Sequence, residues 1–203
     1  MNNPKTRLAL LGTMSDLHNQ PIRYDLACLQ NIVAELAPDL LCAEVTREEW
    51  EQGDLSQSSV EIRESLAPVI AVTDTVLIPV APTPQQFSDF APRDGWRYRL
   101  VKMFDRFFRW GQIQANNPHA VNGPWFSAFC HTVCMATELL WSAEERAAWE
   151  NQNKQLAENI VHTIQRDTGR RVLVAVQCQR LHQLLPLLRV HPELFDIVGY
   201  KDL

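Results

Sequence analysis

The sequence predicts an α/β fold, a mostly parallel central sheet flanked by helices, from three observations. Apolar runs of strand length stand at residues 8–11, 40–43, 76–80 and 172–176. Between them lie segments whose apolar residues recur at helical spacing, the alternation of strand and helix that builds parallel sheets. The run 172–176, Val-Leu-Val-Ala-Val, is apolar without alternation, as expected of a strand covered on both faces.

The elements follow in order. The first strand, 8–11, passes through Gly12-Thr13 into Ser15, Asp16 and His18, three groups able to hold protons or a metal. Pro21 suits a helical first turn, and Leu26, Leu29, Val33 and Leu36 repeat at helical spacing until Pro38 stops them. Asp39 leads into the strand 40–43, which ends directly in Glu44. Residues 46–59 are polar and irregular or partly helical, 61–71 read as a helix despite Pro68, and 76–80 as a strand. Pro79, Pro82 and Pro84 give that strand an extended exit and suit it to a sheet edge, since proline lacks a backbone donor.

Residues 85–141 read as a helical insertion or cap. Leu100, Phe104, Phe107, Phe108 and Gly111 form a stripe expected to pack, whereas Arg99, Lys102, Arg106 and Arg109 form a second stripe. A solvated face is the commoner meaning of such a stripe, and an anion-binding face the alternative. Turn residues at 115–124 separate this helix from another over 125–141, where His131, Cys134 and Glu138 share a face, more often core filler than metal ligands. Ser142 and Glu145 form a capping box for a long helix, 143–168, closed by Gly169 and carrying Asn153 on its apolar stripe. After the strand 172–176 come Gln177 to His182, a leucine-rich helix interrupted by Pro186, and a last edge strand at 195–198.

A chain of 203 residues fits one domain, residues 1–203, able to bury about 70% of its unfolded surface without disulfides or metal. The hydrophobic content of 46% and charged content of 21% exclude a disordered chain. A net charge of −5 opposes non-specific nucleic-acid binding, which requires a basic surface. Five cysteines in no ribbon or secreted-domain pattern are expected to be reduced and mostly buried. No run approaches a membrane span, and the apolar stretch after Lys5 and Arg7 is interrupted too early for a signal peptide, so a cytoplasmic location is expected.

Three strands thus end in polar residues, and in open parallel sheets the loops leaving neighbouring strands converge on one crevice. Asp16, His18, Glu44 and His182 are expected to face it. Two imidazoles with carboxylates suit manganese, cobalt or zinc, which would lower the pKa of a bound water in an open position. Without metal, His18 or His182 would serve as general base, oriented by Glu44 or Asp16. Either set, with His18, Glu44 and His182 catalytic, would hydrolyse an ester or amide in a small molecule or peptide. Singly these residues have plainer roles, Asp16 capping a turn, His18 exposed in a loop, His182 covering its helix end. Glu44 is the strongest, because a carboxylate continuing a buried strand is costly to desolvate without a partner.

Leu11-Gly12-Thr13, the strand Leu41-Cys42-Ala43-Glu44, the Asn-bearing helix 153–160 and the strand, His and leucine-rich helix over 172–188 resemble the TraB/PrgY, Tiki and erythromycin-esterase-like (ChaN-like) superfamily. The resemblance covers residues 8–44 and 149–203. It implies a metal-dependent peptidase or ester hydrolase with two histidines and the glutamate at its site, supported by Gly12, Thr13, Ser15 and Asn153. Ser15 stands where the first Gly-x-x-His motif has its histidine, and His182 lies beyond the position of the second. These departures favour the alternative, a non-catalytic member that binds a small ligand or a protein partner. Ser15-Asp16-Leu17-His18 also looks like the opening of metallophosphoesterases, whose Gly-Asn-His and Gly-His-x-His blocks are missing here.

Overall fold

A computed structural model describes residues 5–115 and 117–203. Five parallel strands, β1 (Thr6–Thr13), β2 (Leu40–Ala43), β3 (Val76–Pro79), β4 (Arg171–Gln177) and β5 (Phe195–Val198), form one sheet in the order β3-β2-β4-β1-β5. The α/β class expected from the sequence is the class observed. The proline-flanked β3 and the short β5 are the two edges.

The last long strand sits between the first two, with Thr13 opposite Gln177 on one side and Ala43 opposite Ala175 on the other. The loops after β1, β2 and β4 therefore leave the sheet side by side. Between β1 and β2, α1 (Leu26–Leu36) starts where the Asp25 side chain accepts from Cys28 N and ends at Ala37, a left-handed cap whose N–H donates to the Val33 carbonyl, with Pro38 barring a further helical turn. After β2, α2 (Arg47–Gln52) opens on a Thr46/Glu49 capping box. The helix expected over 61–71 is a wide turn, Ile62–Leu66, continued by α3 (Ala67–Ile70). Pro68 explains the widening, since it has no N–H for the ladder and its ring crowds the carbonyl four residues back.

The helical insertion after β3 comprises α4 (Gly95–Gln114), α5 (Pro118–Val121) and α6 (Pro124–Glu138). The long α7 (Ala143–Arg166) returns to β4, and α8 (Leu181–Arg189) connects β4 to β5. Strand alternation divides the core into two layers. Ala9, Leu11, Leu41, Ala43, Leu173 and Ala175 pack towards α1, α4 and α6. Leu8, Leu40, Cys42, Val172, Val174 and Val176 pack towards Leu156, Ile160 and Ile164 of α7 and Leu184 and Leu188 of α8. Among the described residues no helix is long and apolar enough to cross a membrane, and all five cysteines are free thiols, four of them buried.

Candidate functional site

The crevice predicted beyond the strand ends is present as a cavity of about 740 Å³ between the carboxyl ends of β1 and β4 and the helical insertion, within the size range of small-molecule sites. Ser15 and Asp16 line it from the β1 loop, and Gln177 and Gln179 from the β4 loop. Its apolar wall is aromatic, with Phe87, Phe104, Phe108 and Trp141. Its charges are mixed, Asp16, Asp89 and Asp105 against Arg93, Lys102 and Arg109. Ser15 has φ 51°, a left-handed conformation costing a non-glycine residue about 1–2 kcal/mol, and it turns the chain sharply from strand to 3-10 helix at the cavity wall.

Of the four residues expected to face one pocket, Asp16 lines this cavity. Glu44 sits beside it in a small niche that shares Gln85, Gln86 and Gln177 with the cavity wall. Alternation explains where Glu44 goes, because it continues the parity of Leu40 and Cys42 towards α7. There it meets Arg180, which is only 2% exposed. Glu44 Oε1 accepts from Arg180 Nε, and Glu44 Oε2 accepts from Gln177 N at 3.0 Å. Arg180 Nη1 donates to Asn153 Oδ1 and Nη2 to the Gln85 carbonyl, both at 3.0 Å. The guanidinium also lies over the Trp149 ring, 4.1 Å from its centroid.

The network continues from Asn153, whose amide donates to the Trp149 carbonyl and to Gln183 Oε1. Gln183 Nε2 in turn donates to both oxygens of Glu138, at 3.1 and 3.2 Å. Asn153 thus braces the link between α7 and the β4 loop. His182 Nε2 comes within 3.3 Å of Glu138 Oε1 but off the line of a hydrogen bond, leaving both ring nitrogens without a hydrogen-bond partner. His131 packs edge-on against His182 with ring centroids 5.2 Å apart.

His18 is elsewhere again, buried beneath the β1 loop. Its Nε2 accepts from Met14 N at 2.9 Å, and Nδ1 lies 2.7 Å from the Tyr24 carbonyl, to which it donates. The neutral Nδ1–H tautomer satisfies both bonds, and burial lowers the imidazole pKa. Tyr24 completes the brace by donating to the Gly12 carbonyl at 3.0 Å. Gly12 itself donates to Asn122 Oδ1 at 2.7 Å, and a Cβ there would come within 2.8 Å of Leu181 Cδ1, so glycine permits the close approach of α8. Thr13 faces the α1 layer, where its hydroxyl donates to Glu61 Oε1 at 2.8 Å. Glu61 is buried, its Oε2 has no partner, and desolvation raises its pKa to about 7.

The metal expectation receives no assembled donor set, since among the described residues no group of three or more His, Cys, Asp or Glu side chains is placed to hold an ion. Asp16, Glu44, His182 and His18 lie respectively on the cavity, in the niche, beside Glu138 and against backbone. Arg180 and Glu61 stand outside the set of site residues expected from the sequence. Arg180 carried a signal, because a glutamate ending a buried strand requires a cation and the parallel β4 loop supplies one. Glu61, inside a helical pattern, carried none. No family model, curated protein or solved structure matches this chain.

Proposed function

We propose that this chain is a small-molecule binding protein, a non-catalytic relative of the superfamily it resembles, taking its ligand in the cavity between the strand ends and the helical insertion. One contrast supports the reading. The cavity is open and Asp16 lines it, whereas Glu44 is engaged through both oxygens, His18 is engaged through both nitrogens, and His182 stands beside Glu138 off the cavity wall, so no imidazole reaches the cavity from the expected set. The aromatic wall and the surrounding amides fit an organic molecule with an apolar body and hydrogen-bonding groups. Balanced acidic and basic side chains at the wall fit a ligand of low net charge. Screening a library of such compounds by thermal shift should give ligands that stabilise the protein and whose effect Ala91→Trp, which fills the cavity from its wall, abolishes. Absence of any hit, or hits indifferent to Ala91→Trp, would contradict the reading.

One observation favours a second reading, hydrolysis of an ester or amide through Ser15. A left-handed serine between a parallel strand and a helical turn has the backbone setting of an esterase nucleophile. Covalent labelling of Ser15 by a fluorophosphonate, lost in Ser15→Ala, would establish that reading over the first.

A further inference from the structure

The insertion carries a surface that the cavity does not explain. Helix α4 spans 20 residues, roughly 30 Å, and buries Val101, Phe108 and Gly111 beneath it. On its outer side Trp96, Met103, Phe107 and Trp110 recur at spacings of seven, four and three, so they form one stripe. Trp96 is 64% exposed, Met103 52%, Phe107 48% and Trp110 55%. Phe107 stacks on Trp110 and meets Phe129 of α6 edge-on, which places the stripe beside α6. There Trp125 is 90% exposed and Met135 and Leu139 are also open to solvent. Four large apolar side chains half exposed along one helix make a patch rather than scattered residues.

Charge indicates what covers it. Helix α4 holds five basic residues, Arg97, Arg99, Lys102, Arg106 and Arg109, and one acidic residue, Asp105, in a chain whose net charge is −5. Arg99, Lys102, Arg106 and Arg109 form a stripe next to the aromatic one, and all four are exposed; Lys102 and Arg109 also border the cavity, so Arg99 and Arg106 are the two cations that belong to this face alone. We infer that this face docks on the surface of an anionic lipid bilayer, with α4 lying flat in the interface. Tryptophan and phenylalanine beside a basic stripe are the side chains that interfacial helices use, the rings at headgroup depth and the cations on the lipid phosphates. A second copy of the chain fits less well, since a two-fold contact would set the basic stripe against itself. Nucleic acid also fits less well, because Met103, Met135 and Leu139 offer no ring to stack on bases, whereas apolar side chains of this kind can enter the acyl boundary of a bilayer.

The test is flotation of the full chain with vesicles of phosphatidylcholine alone or mixed with phosphatidylglycerol, alongside tryptophan emission. The expected result is binding to the mixed vesicles with a blue shift, weakened by salt and absent with phosphatidylcholine alone. Arg99→Gln/Arg106→Gln should weaken binding roughly thirtyfold, about fivefold per cation, and Trp96→Ser/Trp110→Ser should cut the blue shift to what Trp125 supplies. Neither pair lines the cavity, and all four side chains are exposed, so melting temperatures should stay near that of the parent. No flotation with the mixed vesicles at low salt, or flotation unchanged in both variants, would overturn the inference. So would RNA binding or self-association that depends on these residues in a chain that ignores the vesicles.

Discussion

Two corners of the same sheet end, a few residues apart, are built on opposite principles. Beyond β2 and β4 every polar group of the Glu44–Arg180 pair finds a partner, and the space is closed by Asn153, Trp149 and Gln85. Beyond β1 and β4 the loops stand apart, Ser15 is held in a left-handed turn, and a cavity remains. Gln177 belongs to both, its backbone N–H bound to Glu44 and its side chain lining the cavity. On the proposed function, the difference separates stability from binding. Changes at the closed corner should cost folding free energy and leave ligand contacts in place, and changes at the open one should do the reverse.

The largest effect is expected at Arg180. Arg180→Ala leaves the largely buried Glu44 carboxylate without its cation and should lower unfolding free energy by about 3–5 kcal/mol, measured by urea titration. Glu44→Gln/Arg180→Met removes both charges while keeping an acceptor for Gln177 N–H, and should recover most of that loss. Recovery would mark the pair as a space-filling brace, and failure to recover would point to the hydrogen bonds that Arg180 gives Asn153 and Gln85.

Two buried groups under the β1 loop should give opposite pH slopes. Glu61 has its folded pKa raised from 4.5 to about 7, so the stability it contributes is full below pH 4.5 and is lost as pH rises towards 7. Glu61→Gln, which keeps an acceptor for Thr13, should therefore gain about 3 kcal/mol above pH 7 and nothing below pH 4.5. His18 has its folded pKa lowered from 6.5, so its contribution is full above pH 6.5 and is lost as pH falls through the lower folded value. His18→Ala should cost about 2 kcal/mol at pH 8, one for each backbone bond lost, and the deficit should shrink in acid. Denaturation of both variants across this pH range separates the two slopes.

The smallest stability effect belongs to the open corner. Asp16→Asn and Gln179→Ala sit on partly or fully exposed positions of the cavity wall and should change unfolding free energy by no more than about 0.5 kcal/mol. Both should nonetheless alter the affinity of ligands found by thermal shift, as isothermal titration would register.

The strand and helix succession was legible because apolar runs of 4–8 residues and helical periodicity are local signals. The side chains' destinations were legible only in part. Glu44 shares parity with Leu40 and Cys42, which directs it to the α7 layer where Asn153 lies, whereas Thr13 shares parity with Ala9 and Leu11 and faces Glu61. Parity therefore anticipates that the two strand ends point to opposite layers. His18 and His182 lie in loops and helix starts, where no period fixes direction, and their placement depends on the turn at Ser15 and on the packing of Leu181 over Gly12.

The most direct test of a binding cavity beside a closed brace is amide chemical-shift mapping of the protein with the compounds that raise its melting temperature. The expected result is perturbation at Ser15, Asp16, Lys102, Thr137 and Gln179, with Asn153 and Arg180 little changed. Shifts centred on Glu44, Asn153 and Arg180, with the cavity wall silent, would contradict it and return the closed corner to the centre of function.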